Sequence, residues 1–384
     1  MKRREFLSAL GAGTLVSLSP TLAMAAAAPV GRMDRLLILV ELKGGNDGLN
    51  TIIPFSDDAY YALRPQLAVR ADGMIKLDGK VAINKVLNPL MPMWSAGQMA
   101  ILQGVGYPQA NLSHFRSIEI WDTASKSDEY LPVGWLTRLF AAYPVPPQFT
   151  ADAIVIGSAD LGPVAGGARA IELDNPGQFS HQARLVQAMS SRGGGALAHI
   201  LKVEDDVVRA AQSLGNGKTL KTEFPDHGFG HTCKTACETL ANANGIAVAR
   251  LTLTGFDTHQ NQAGTQANLL TQLGEGLAAL KTALVEMGRW DDTLILTYSE
   301  FGRRPKENES GGTDHGTVAP HFVLGGKVRG GLYGNTPSLA VLDESGNLPY
   351  QIDFRGVYAS VLERWWNLPS QTVLGGKFAL TQFV

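Results

Sequence analysis

Short, continuous apolar runs punctuate the chain from residue 35 onward, and each ends in a turn or a charged loop. They are RLLILVEL (35–42), MAILQGVG (99–106), AIVIGS (153–158), AVARLTLTG (247–255), TLILTYS (293–299) and HFVLGG (321–326). Runs of this length without polar alternation mark strands buried on both faces. In NLLTQLGEGLAALKTALVEMG (268–288) the apolar residues recur at three and four, the period of an amphipathic helix. Strand runs alternating with helical stretches predict an α/β fold, a mainly parallel central sheet with helices on both faces. No internal repeat or low-complexity linker breaks the pattern. SRGGGALAH (191–199) reads as a flexible joint or as a loop within one domain, and a single α/β domain is expected over 30–384.

Composition agrees and removes some functions. The 384 residues are 45% hydrophobic and 18% charged, with 43 glycines, which is enough chain for a large core and many turns. A formal net charge of −2 argues against nucleic-acid binding, which needs a basic face. No block of like charge suggests a membrane-surface patch. The first residues, MKRREFLSALGAGTLVSLSP TLAMAAAAPV, combine a basic start, a short apolar stretch and small residues around Ala25. That is the layout of a signal peptide over 1–25, too short to span a bilayer. Arg3-Arg4 running into Phe6-Leu7 resembles a twin-arginine signal, so the expected location is periplasmic or otherwise exported, through the twin-arginine machinery. Cys233 and Cys237, four apart on a helix-like stretch, have poor geometry for a disulfide and read as small core residues.

Polar chemistry gathers just after the strand runs. The first is followed by Lys43-Gly44-Gly45-Asn46-Asp47, and the second leads to Ser113, His114 and Arg116. The fourth is followed by Asp257-Thr258-His259, and the fifth by Glu300, Arg303, Arg304, Asp314 and His315. In open α/β sheets, sites form outside the carboxyl ends of strands. Each group alone has a local explanation: a turn at Asp47, a cap at Asp257 or Ser113, a charged loop at Asp314-His315. Together, converging carboxylates need a cation or shared protons. Oxygen and imidazole donors without a thiolate suit zinc, manganese, magnesium or calcium, and a metal-free charged cleft is the alternative. Beside a cation, the Ser113 hydroxyl would be a nucleophile toward phosphorus or sulfur, with Arg116 or the Arg303-Arg304 pair gripping the anionic oxygens. His114 reads as ligand, general base or core residue. No Gly-x-Ser-x-Gly elbow supports a serine esterase.

The stretches LVELKGGNDGLNTIIP, YPQANLSHFRSIEIWDTA, LTLTGFDTHQNQ, TYSEFGRRPKENESGGTDHGT, HFVLGGKVRGGLYG and DFRGVYASVLERWW together resemble the family catalogued as domain of unknown function 1501. The resemblance covers essentially the whole mature chain and implies an alkaline-phosphatase-like sandwich of the phosphatase and sulfatase superfamily. It implies a metal-dependent hydrolase of phosphate or sulfate esters, esters carried on a glycan among them, using zinc or manganese, with calcium or magnesium as alternatives. Ser113 would be its nucleophile, with Asp47, Asp257, His259, Glu300, Asp314 and His315 around the metal. Asp314-His315-Gly316 matches the superfamily's Asp-His-Gly by letters. Glu300 matches by strand position, which puts Phe301 where a histidine is expected and gives His315 the last metal role, otherwise His321's. The sulfatase signature is absent from SHFRS. The non-catalytic alternative is an envelope binding or assembly protein that retains the fold with a degenerate site.

Overall fold

A computed structural model describes residues 31–173 and 218–384. The leader-like segment and the 191–199 joint lie outside the described residues.

Each of the six apolar runs is a strand. Leu36–Lys43 lies at the centre of a nine-stranded sheet, parallel to Ile246–Thr254 on one side and to Thr293–Tyr298 on the other. Ala151–Ile156 and Ala170–Leu173 extend the first side in parallel. On the second side come Ala319–Leu324, Met99–Gly106 and the short Gly331–Tyr333, with Ile352–Asp353 also pairing to Met99–Gly106. Among these strands only Ala319–Leu324 runs antiparallel to its neighbours. Its direction follows from its connection: the chain comes back from the carboxyl rim through a hairpin rather than through a crossover helix.

The sheet is apolar on both sides because helices cover both. Along the first strand Leu37 and Leu39 face one core with Trp121, Leu136, Phe140, Phe354 and Tyr358. Leu36, Ile38, Val40 and Leu42 face the other, with Phe229, Leu270, Leu277 and Leu284. That second layer is built by the helices Gly228–Asn242 and Gln262–Glu286, the latter starting six residues before the periodic stretch read from sequence. Cys233 and Cys237 are free and buried in this layer.

Two smaller sheets were not legible beforehand. Ile52–Ile53, Ala82–Asn84 and Met74–Lys76 form an antiparallel trio. The charged stretch expected to be a loop after the fifth strand is a hairpin, Gly302–Glu307 against Thr313–Gly316. Its strands carry Arg, Lys, Glu and Asp, so no apolar periodicity announces them. The hairpin sits close to neighbouring backbone: a Cβ on Gly312 would lie 2.3 Å from the His259 carbonyl carbon.

The central strand pairing decides what meets at the carboxyl rim. Lys43 pairs with Thr254 and Glu41 with Tyr298, so the loops beginning at Gly44, Gly255 and Ser299 leave the sheet side by side. Gly44 has φ +119°, and a Cβ there would sit 2.3 Å from the Asp257 nitrogen. Only glycine allows the two loops to approach so closely.

Candidate metal centre

Three imidazoles and one carboxylate meet at this rim. The helix His114–Thr123 brings His114, the loop after the 246–254 strand brings Asp257 and His259, and the hairpin brings His315. His315 Nε2 lies 2.9 Å from His259 Nε2 and 3.3 Å from Asp257 Oδ1. His259 Nε2 is 3.2 Å from the same Asp257 oxygen, and His114 Nε2 is 3.5 Å from Asp257 Oδ2. Ligand atoms of His114, Asp257 and His315 all lie within 4.8 Å of one another, close enough to share an ion.

The far nitrogen of each ring fixes its tautomer. His315 Nδ1 is 2.8 Å from the Leu112 carbonyl oxygen, which only accepts, so the ring donates there and its Nε2 carries the lone pair. His114 Nδ1 is 2.9 Å from Glu300 Oε1, and His259 Nδ1 is 3.2 Å from Asp314 Oδ1. Both carboxylates accept in the same sense, so three Nε2 lone pairs face Asp257. Two such lone pairs 2.9 Å apart repel unless a proton or a metal ion lies between them. Nitrogen ligands of a tetrahedral zinc sit about 3.3 Å apart, given bonds of about 2.0–2.1 Å. The donor set fits a divalent metal, with Glu300 and Asp314 as the outer acceptors that such histidines usually have.

Charge and packing support the cluster. The Glu300 hydrogen bond raises the His114 pKa. Burial lowers that of His315. Burial pushes Asp257 up, but Arg303 beside it holds its pKa below the ordinary value. Phe301, 2% exposed, packs tilted against two of the rings, its centroid 4.4 Å from that of His315 and 4.8 Å from that of His114. The phenyl ring in the position where a histidine was expected therefore seats two imidazoles.

Other residues expected to take part are placed elsewhere. Asp47 is buried and not a ligand candidate: Arg64 grips both its oxygens at 2.5 and 2.9 Å, and Gln262 donates to it at 2.5 Å. It also caps the short helix Gly48–Thr51. Glu300 holds the His114 ring and the Gly44 N–H, at 2.9 Å each, and stands behind the ligand set. Asp314 does the same for His259, which corrects its reading as a direct ligand. His321 is buried against Trp121 with no hydrogen-bond partner on either nitrogen, and it makes no contact with the three rings at the rim.

The three arginines differ sharply. Arg116 donates to the carbonyls of Lys126, Ser127 and Glu129 and pairs with Glu119, so it ties down a loop. Arg303, 2% exposed, donates to the carbonyls of Gly45, Thr313, Phe256 and Gly44 and to Asp257 at 2.7 Å. Arg303 has no free edge for an anion, and the edge of Arg116 left without a hydrogen bond is buried beside Glu119. The Arg304 side chain makes one hydrogen bond among the described residues, from Nε to the His315 carbonyl at 3.3 Å. Ser113 is exposed at the helix start, its hydroxyl making no cap bond. Sequence reading missed the Leu112 carbonyl, which carries no side-chain signal, and Asn308, whose amide donates to Asp314 and to the His259 carbonyl.

Comparison with solved structures finds distant likenesses. One is Ps i-CgsB in complex with k-i-k-neocarrahexaose, with TM-score 0.42 and 10% identity over 89% of this chain and 72% of that one. Another is the C-terminal periplasmic domain of EcEptC from Escherichia coli in complex with Zn, with TM-score 0.37 and 10% identity over 78% of this chain and 73% of that one. A third is alkaline phosphatase from the Antarctic bacterium TAB5, with TM-score 0.32 and 14% identity over 78% of this chain and 92% of that one. Likeness at that level says nothing about the chemistry of the site, which its own side chains must carry. No curated protein matches the chain by sequence. The family model described as protein of unknown function (DUF1501) matches residues 84–375, and the chain belongs to that family.

Proposed function

We propose that this protein is an exported hydrolase of phosphoric or sulfuric esters that holds a divalent metal, zinc or manganese, on His114, His259, His315 and Asp257. The observation that carries the proposal is the convergence of three imidazole lone pairs on one carboxylate, each ring anchored at its other nitrogen. A divalent ion held there supplies Lewis acidity toward an ester oxygen and lowers the pKa of a neighbouring hydroxyl.

The chain's own groups do the rest. Glu300 and Asp314 accept from the Nδ1 protons, which keeps the Nε2 atoms facing inward. Arg303 fixes Asp257, and Phe301 keeps water from the back of the rings. Ser113 is the candidate nucleophile: its hydroxyl is free of any cap bond, and the helix N-terminus favours the negative charge that forms during attack. Work outside the cytoplasm is supported by the leader-like residues 1–25. Among the described residues no helix is long and apolar enough to cross a membrane.

A second reading, a binding protein that keeps the centre without turning over esters, is favoured by one observation. No described base makes a hydrogen bond to the Ser113 hydroxyl. Elemental analysis of the purified protein, with aryl phosphate and aryl sulfate assays in added zinc or manganese, separates the readings. Hydrolysis that follows metal content and disappears in Ser113→Ala supports the enzyme. Bound metal without turnover supports the binding protein, and neither metal nor turnover removes both.

A further inference from the structure

Consecutive residues of a strand point to opposite faces, and Arg303 and Arg304 show the consequence. Arg303 faces the metal centre. Arg304 faces a separate cleft of about 350 Å³ on the far side of the hairpin, in the size range of small-ligand sites. The two sites share a wall, because Leu112 lines the cleft while its carbonyl holds His315, and Arg304 Nε holds the His315 carbonyl.

The cleft has the donors and acceptors of a polar ligand site. Among the described residues the two Nη groups of Arg304 have no partner, and no acid lies within ion-pair distance of them. Asn347, 3% exposed, lines the cleft, and its Oδ1 is buried without a hydrogen-bond donor. A buried amide oxygen left unpaired is costly, and a ligand hydroxyl would satisfy it. Asp343 accepts from the Ser345 and Asn347 N–H groups at 2.9 and 2.8 Å through Oδ1, which leaves Oδ2 only a long 3.3 Å bond from Asn347. Tyr350, 41% exposed, supplies an apolar ring with a polar tip. Gln109, on the cleft edge, is held at φ +55°, a conformation that surrounding structure must impose.

One free guanidinium, carbonyl and carboxylate acceptors for hydroxyls, and one exposed aromatic face describe the needs of a sugar bearing an acidic group. A plain phosphate would meet Asp343 unfavourably, and an apolar ligand would leave Arg304 and Asn347 unpaired. We infer that this cleft is a subsite for an acidic sugar residue of the substrate, with Arg304 on its carboxylate or sulfate. The inference rests on the hydrolase reading for the word substrate, and on the cleft alone for binding.

The test is calorimetric titration of the protein as purified with three probes of equal length: an oligogalacturonate, a sulfated galacto-oligosaccharide and a neutral galacto-oligosaccharide. One acidic probe should bind at least tenfold more tightly than the neutral one, and the two acidic arms tell carboxylate from sulfate. Arg304→Gln should abolish that preference while leaving affinity for the neutral probe unchanged, which controls for folding of the cleft. Tyr350→Ala, which leaves the hairpin intact, should weaken acidic and neutral probes alike. Absence of acidic-probe binding to the wild type, or undiminished binding by Arg304→Gln, overturns the inference. Because the titration reads binding without turnover and the aryl ester assay needs no cleft, failure of one leaves the other standing.

Discussion

His259 and His315 face each other Nε2 to Nε2 at 2.9 Å, each with its Nδ1 already donating elsewhere. Two neutral rings so arranged present lone pair to lone pair, and a proton or a metal ion between them relieves the contact. The proposed metal would relieve the contact between the pair. Removing the imidazole of His315 in His315→Ala should reduce zinc affinity by at least a hundredfold, measured by competition with a chelator of known strength, while circular dichroism stays unchanged.

Glu300 tests the outer layer. It touches His114 and the Gly44 N–H, and in Glu300→Gln the ring loses its charged acceptor. Loss of such a partner typically lowers metal affinity ten- to a hundredfold. Metal titration of Glu300→Gln is expected to fall in that range. An effect as large as that of His315→Ala would mean that Glu300 binds the ion directly.

Asp47 gives the opposite expectation. Its carboxylate neutralises Arg64, and both side chains are fully buried. Removing one member of a buried pair strands the other charge, at a cost of roughly 3–5 kcal/mol. Asp47→Ala should therefore lower the urea midpoint strongly, with metal stoichiometry unchanged in the fraction that folds. Lost metal at full stability would return Asp47 to the ligand set.

Arg303 is the hub of the rim. Its guanidinium holds carbonyls from two loops and from the facing hairpin strand as well as Asp257, so Arg303→Met orphans several acceptors at once. At about 1–3 kcal/mol for each acceptor left unsatisfied, the loss should reach several kcal/mol. Chemical denaturation checks this, and metal affinity should fall with it because Asp257 loses its anchor.

His321 makes stability depend on acid. Complete burial lowers its pKa to about 3, whereas the unfolded chain titrates near 6.5. The folded value is the lower, so as pH falls through 6.5 the unfolded state takes up a proton that the folded state refuses. Stability should be unaffected at pH 7 and should decline below 6.5 by at most ~1.4 kcal/mol per pH unit until about pH 3. His321→Phe should flatten that decline. His114 acts with the opposite sign: its pKa is raised by Glu300, so its contribution is present in acid and is lost as pH rises through the folded value.

The strands were legible in the sequence because helices cover both faces of the sheet, which forces unbroken apolar runs such as LLILVELK and TLILTY. The meeting of His114, Asp257, His259 and His315 was legible as far as their shared position after strand ends. The hairpin was not, since charged residues fill strands held by close backbone approach and by Arg303. Without the hairpin, nothing separates Arg303 from Arg304, which the strand's two-residue period sends to different sites. The fate of Asp47 depends on Arg64, seventeen positions away on another element, and no local pattern announces that pairing.

The most direct measurement is a crystal structure of zinc-soaked protein, with anomalous scattering collected across the zinc edge. The expected result is an anomalous peak bonded to Nε2 of His114, His259 and His315 and to Asp257, with Glu300 and Asp314 behind the rings. An empty rim with His259 and His315 turned apart, or a peak bonded to Asp47, would contradict the account.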